Sequence, residues 1–426
     1  MERDVIENLI KWKDKIDRKP LVLRGARQVG KTWLMKYFGE NYYDNYAYFN
    51  MDNDDILKGI FDKNYDTNRI IDELKLYSKV DIKKNKTLII FDEIQEIPKT
   101  LTSLKYFCEE NNEYHIICAG SLLGIALHKG TSFPVGKVEF ENIFPLSFGE
   151  YLTAKGLREY RQIIDNKDYD KMKTFKSIYI DNLKEYYYIG GMPEVVSDFI
   201  NNKNFEKVRT LQKNIIYMYE SDFSKHVENN LVLRIKEVFN SIPKQLGNEN
   251  KKFMYSNIQK GSRASKYEEA IMWLNDCGII YKVNRVSDVK IPLKAYEENN
   301  VFKLYMVDVG LLSCMNNIKL ETLINGNELF VEFKGALTEN YVCGELIKKH
   351  NNTISYFTNE RSTLEIDFLV DNGDEIIPIE VKSSINLRSK SLNTFIDKYK
   401  IKKAIRYSLA DYKENEIITD IPLFAI

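Results

Sequence analysis

Leu21-Val22-Leu23-Arg24-Gly25-Ala26-Arg27-Gln28-Val29-Gly30-Lys31-Thr32 decides how the rest of the chain is read. A short apolar run enters the pattern G-x-x-x-x-G-K-[ST]. Trp33, Leu34, Met35, Tyr37 and Phe38 then continue at helical spacing. Strand, glycine loop and helix in that order is the context this pattern requires. Glycines let main-chain N–H groups turn inward and approach an anion with no Cβ in the way. The helix that follows adds its positive end. The expectation is a phosphate loop that binds ATP with Mg2+ through Gly25, Ala26, Arg27, Gln28, Val29, Gly30, Lys31 and Thr32. In that loop Lys31 reaches the β- and γ-phosphates and the Thr32 hydroxyl holds the metal.

Further on, Thr87-Leu88-Ile89-Ile90-Phe91-Asp92-Glu93 reads as a buried strand tipped by two carboxylates. Charge at the end of so apolar a strand is costly unless it meets a cation or a polarised water. Asp92 is therefore expected in the magnesium shell, and Glu93 as the general base that polarises the attacking water. Ile116 to Ala119 is another apolar run, ending in Gly120 and Ser121; Ser121 is a candidate catalytic residue that senses the γ-phosphate or the water.

Outward from these motifs, Leu21–Leu23, Tyr46–Asn50, Leu88–Phe91 and Ile116–Ala119 are brief, branched and apolar, with helix-length segments between them. Buried parallel strands have this pattern. Residues 1–150 thus predict an α/β domain with a mostly parallel sheet. Residues 151–225 change to a helical period. Residues 226–327 show helix, turn, helix and strand, the rhythm of a winged helix, with its second helix over Ser265 to Leu274. Residues 328–426 return to α/β: a helix from Gly335 to Lys349, then strands Glu365–Val370 and Ile376–Lys382 around a turn at Asp371–Asp374.

Hydrophobic residues make up 44% of the chain, enough to fill real cores, and Lys plus Arg equal Asp plus Glu at 62 each. No net charge draws the whole molecule to nucleic acid or membrane, so any basic surface must be local. Five cysteines, with no C-x-x-C pair, give no zinc cluster and suit a reducing compartment. Met1 to Lys19 is charged throughout, and no apolar run approaches the roughly 20 residues that span a bilayer. A cytoplasmic protein without membrane partners is expected.

The G-A-R-Q-V-G-K-T loop, the F-D-E-I-Q strand end, the A-G-S strand end and Phe144-Pro-Leu-Ser-Phe-Gly-Glu-Tyr151 resemble the AAA-type predicted ATPases of bacteria and archaea. Gly190-Gly-Met-Pro-Glu194, Lys303-Leu-Tyr-Met-Val-Asp-Val-Gly-Leu311 and Glu339-Asn-Tyr-Val342 are similar to the domain of unknown function that follows in that family. The resemblance implies an AAA-type P-loop fold and an arginine completing the site from a neighbouring subunit, hence a homo-oligomer. Family members commonly carry Gly-Arg where this chain has Gly136-Lys137. Lysine lacks the planar fork that binds phosphate bidentately. Arg27 is a second candidate for that role.

Asp367 on one strand and Glu380-Val381-Lys382 on the next resemble the D…(D/E)-x-K site of restriction-endonuclease-like folds, with Glu339 an additional acid. In register, Asp367 and Glu380 share a divalent metal and Lys382 faces the same site. A half-exposed strand pair, charged outside and apolar inside, has the same alternation. Leu387 to Tyr407 carries a run of Lys and Arg suited to a phosphate backbone or to a solvated face. In the winged-helix segment, Arg263, Lys266 and Tyr267 stand where DNA contacts arise, although Glu268 and Glu269 beside them oppose phosphate. Two functions are open to such a chain: an ATPase coupled to DNA or a protein partner, or a nucleotide-gated regulatory protein with an inactive nuclease-like end.

Overall fold

Leu21, Val22 and Leu23 are buried and form β1 (Leu21–Arg24), the strand that feeds the glycine loop. The computed structural model describes residues 1–120, 134–227, 229–248, 251–261, 263–325, 331–350, 353–359, 363–385, 387 and 389–426. The chain divides into two units. One comprises Arg3–Phe144 with Asp276–Ile279; the other comprises Met1–Glu2, Pro145–Asn275 and Ile280–Ile426.

In the first unit, β1, β2 (Asn45–Asn50), β3 (Thr87–Asp92), β4 (His115–Ala119) and β5 (Glu139–Asn142) form a five-stranded sheet in the order β2-β3-β4-β1-β5. All four strand pairings are parallel. All six residues of β3 and all five of β4 are buried, which is why these strands read as continuous apolar runs. β5 escapes such a reading because Glu-Phe-Glu-Asn is, among the described residues, an edge strand paired with β1 alone. The helices α1 (Ile6–Asp14), α2 (Lys31–Tyr42), α3 (Asp55–Lys63), α4 (Thr67–Ser78) and α5 (Pro98–Glu110) complete the layers. Phe49, Phe61, Ile70, Leu74, Phe91 and Leu104 lie in one buried core cluster. Parallel strands bring the carboxyl ends of β1 and β3 to one edge of the sheet, where ligands of open α/β sheets bind.

In the second unit the described residues between Phe148 and Leu246 form a series of helices. It then builds an eight-stranded mixed sheet from β6 (Ile280–Val286), β7 (Glu297–Met306), β8 (Ile354–Thr358), β9 (Glu365–Asp371), β10 (Ile376–Val381), β11 (Ala404–Ser408), β12 (Lys413–Glu414) and β13 (Ile418–Pro422). Their order is β12-β13-β11-β10-β9-β8-β6-β7.

The break at Phe144–Pro145 falls beside the boundary expected at 150, whereas the second unit runs on through 225 and 327. β6 pairs antiparallel with β7 and parallel with β8, so the segment expected to be a winged helix shares a sheet with the C-terminal strands. Strand pairing over such distances leaves no local trace in sequence. The helix expected over Ser265–Leu274 begins at Glu268, after a 3-10 turn at Ala264–Lys266. Tyr267 is fully buried and its hydroxyl donates to Glu237 Oε2 at 2.8 Å, so it is not available to a base edge.

The glycine-rich motifs of this unit have a packing explanation. The helix Lys176–Ile189 ends at Gly190, whose φ of +76° and ψ of −168° lie in a region essentially reserved for glycine. A Cβ there would stand 2.2 Å from Asp308 Oδ1, and one on Gly310 would stand 2.5 Å from Gly190 N. Buried Asp308 accepts from Gly191 N at 2.6 Å and from Leu311 N at 2.9 Å, capping the helix Val309–Met315. Gly-Gly and Asp-Val-Gly are thus two halves of one close backbone contact. Among the described residues no helix is long and apolar enough to cross a membrane.

Candidate functional site

The glycine loop bends as the motif requires. Gly25, Gln28 and Gly30 have φ of +141°, +66° and +90°, and α2 starts directly after Gly30. A Cβ on Gly25 would stand 2.1 Å from the Ile143 carbonyl oxygen, so this position excludes any side chain. Lys31 is buried and folds back on the loop, donating to Gly25 O at 2.8 Å and Ala26 O at 2.7 Å. Burial pulls its ammonium down to about 8, with Glu93 and Asp92 opposing the shift. An anion beside so desolvated an ammonium would favour its charged form.

The two motifs that sequence keeps sixty positions apart meet here. Thr32 Oγ donates to Asp92 Oδ2 at 2.6 Å. Asp92 is buried at the tip of β3, and its other oxygen accepts from Glu93 N at 3.1 Å. Glu93 itself sits in the left-handed region with φ of +51°, which is uncommon for a side-chain-bearing residue and turns the chain sharply at the strand end. Gln95 Nε2 donates to Glu93 Oε2 at 2.7 Å and orients that carboxylate. A hydroxyl and carboxylate oxygens are the hard donors that Mg2+ takes alongside phosphate oxygens, so the residues fit that ion.

Tyr48 was not legible as part of this site. From β2 its hydroxyl donates to Asp92 Oδ2 at 3.0 Å, and the Lys36 ammonium lies 3.8 Å from its ring centre. Burial, and then Asp92, push its hydroxyl well above the usual phenol range. Ser121 lies outside the described residues. Lys137 pairs with Glu109 at 2.8 Å on the surface.

The C-terminal residues singled out from the sequence also converge. Asp367 Oδ2 accepts from Val381 N at 2.7 Å, and Lys382 Nζ lies 2.5 Å from Glu380 Oε1. Glu339, on the helix Val331–His350, is buried and takes Lys303 at 3.0 Å, Tyr305 Oη at 2.5 Å and Lys251. Lys303, with none of its side chain exposed, also reaches Glu365 at 2.8 Å. Burial disfavours charge on Glu339, yet Lys251 and Lys303 outweigh it and hold the carboxyl at about 2. Asp367 goes the other way, pushed up to about 8 by burial and by Glu339 and Glu380. Among the described residues no group of three or more His, Cys, Asp or Glu stands ready to hold a metal. Of the basic run after Leu387, Arg406 is buried on Asp420 at 2.7 Å, while Lys390, Lys398, Lys400, Lys402 and Lys403 are exposed.

Three family matches tile the chain: an AAA domain over residues 17–152, a domain of unknown function (DUF8612) over 180–322, and a domain of unknown function (DUF4143) over 334–425. Among curated proteins nothing matches it. Solved structures with similarity include a Walker-type ATPase of Pyrococcus abyssi, at 13% identity over 74% of this chain and 95% of that one, with a TM-score of 0.46. Cdc6p from Pyrobaculum aerophilum is 12% identical over 76% of this chain and 95% of its own, with a TM-score of 0.28. The Orc1 protein of Aeropyrum pernix, solved in complex with DNA, is 12% identical over 74% and 90%, with a TM-score of 0.24. Likeness at this level carries no argument about partners. Residues 17–152 thus match an AAA domain, and they fold around a parallel five-stranded α/β sheet.

Proposed function

We propose that the chain hydrolyses Mg2+-ATP at the edge where β1 and β3 end. The 2.6 Å bond from Thr32 to Asp92, which joins the glycine loop to the acidic strand tip, carries this reading. Gly25 to Gly30 supply inward amides for the phosphates, and Lys31 leaves the carbonyls of Gly25 and Ala26 to neutralise them. Thr32 and Asp92 hold the ion, which supplies charge neutralisation on the phosphate oxygens. Glu93, oriented by Gln95, accepts a proton from the attacking water. In this reading turnover is coupled to DNA, through the exposed lysines between Lys390 and Lys403, or to a protein partner. ATPase assays with and without DNA, at rising salt, test it. Turnover that needs Mg2+ and disappears in Lys31→Ala is expected, and acceleration by DNA that fades with salt supports the coupling. Tight nucleotide binding without turnover would favour a nucleotide-gated regulator instead.

For the C-terminal carboxylates we propose a folding role. Glu339, Glu365, Asp367 and Glu380 face the ammonium groups of Lys251, Lys303 and Lys382, and a proton on Asp367 completes the balance. A nuclease centre at Asp367, Glu380 and Lys382 would need these tethered cations to yield their carboxylates to a metal. Incubation of plasmid and single-stranded DNA with Mg2+ or Mn2+ should leave both intact. Cutting that Asp367→Ala abolishes would overturn this assignment.

A further inference from the structure

Arg3 is remote from the glycine loop in sequence and is buried against it in the fold. Its Nη1 donates to Val29 O at 3.1 Å, and its Nη2 donates to Phe144 O at 2.6 Å. When loop amides face an anion, the intervening carbonyls face the other way, and a buried carbonyl needs a donor. The planar guanidinium fork holds its two donors at a fixed spacing that spans both carbonyls, a geometry that a lysine ammonium on its flexible stem does not fix. The opposite end of the loop rests on the same segment, because Gly25 lies directly on the Ile143 carbonyl and Ile143 N donates to Arg24 O at 2.7 Å. Ile143 and Phe144 therefore form an anvil under both ends of the loop, and Arg3 is the bolt at the Val29 end.

This matters because the other brace is temporary. In the structure Lys31 ties the carbonyls of Gly25 and Ala26, and it must release them to reach a phosphate. We propose that Arg3 is a positioning residue for ATP: by fixing Val29 to Phe144 it keeps the loop amides directed inward once Lys31 has turned away. The inference rests on the nucleotide reading above and adds a residue that no motif marks.

Calorimetric titration with ADP, melting with and without ADP, and steady-state ATPase kinetics on the unaltered protein, Arg3→Lys and Arg3→Ala test it. Arg3→Ala should weaken ADP binding about tenfold, the scale of one charge-assisted hydrogen bond, with Arg3→Lys between. KM for ATP should rise by a similar factor while kcat stays within about twofold, because the chemistry at Glu93 is untouched. Ligand-free melting of Arg3→Lys should change little, whereas its stabilisation by ADP should shrink. If Arg3→Ala does not fold, Arg3→Lys carries the test. Unchanged ADP affinity in Arg3→Lys, beside clear binding by the unaltered protein, overturns this inference alone. No ADP binding by the unaltered protein overturns the nucleotide reading and this inference with it.

Discussion

The hydroxyl of Tyr48 donates to the same carboxylate oxygen of Asp92 that accepts from Thr32. Two donors on one oxygen fix the rotation of the carboxylate, and partners of this kind around a metal ligand commonly govern its affinity. Tyr48→Phe should raise the Mg2+ concentration for half-maximal turnover about tenfold while leaving the fold intact. Titration of activity with Mg2+ at saturating ATP measures it, and an unshifted midpoint would show that Asp92 does not depend on Tyr48.

Lys303 tests the folding role of the C-terminal cluster. It is wholly buried between Glu339 and Glu365. Replacing it with methionine fills the volume, strips Glu365 of its cation and leaves Glu339 with Lys251 alone. Lys303→Met should therefore destabilise the second unit by about 3–5 kcal/mol, read by urea denaturation. Stability equal to that of the unaltered protein would mean that the carboxylates are balanced by something else.

Asp367 gives the same cluster a pH dependence. Its carboxyl rises from an ordinary value of 3.8 to about 8 in the folded protein, so the folded state binds more protons between those limits. The stabilisation from this group is full below the lower value and is lost as pH climbs through the upper one. Asp367→Asn keeps an acceptor for Val381 N and removes the charge. It should raise the melting temperature by roughly 2–4 °C at pH 9 and hardly at all at pH 5. An equal effect at both pH values would show that the carboxyl does not hold a proton.

What the sequence made legible follows from how local each feature is. Lys31 and Thr32 belong to one continuous motif, and Asp92 with Glu93 stands at the end of an apolar strand, so the residues that meet through the Thr32–Asp92 bond could be picked out from short windows. The apolar strands were found for the same reason: each is buried on both faces. Tyr48 and Arg3 were not found, because the hydrogen bonds that place them there are to partners 44, 26 and 141 positions away. β5 was missed since an edge strand has little apolar signature, and the winged-helix segment was set apart because nothing within it announces the pairing of β6 with β8. Tyr267 looked like a contact residue by its basic neighbours, while its ring fills the core.

Glu93→Gln separates nucleotide binding from hydrolysis at this strand tip. The amide preserves the size of the side chain beyond the tip of β3 and removes its charge and its capacity to take a proton. Phosphate release under single-turnover conditions, measured beside ATP affinity, should show binding within about threefold of the unaltered protein and a rate lower by at least about a hundredfold. Release by Glu93→Gln at the unaltered rate would contradict hydrolysis at this site.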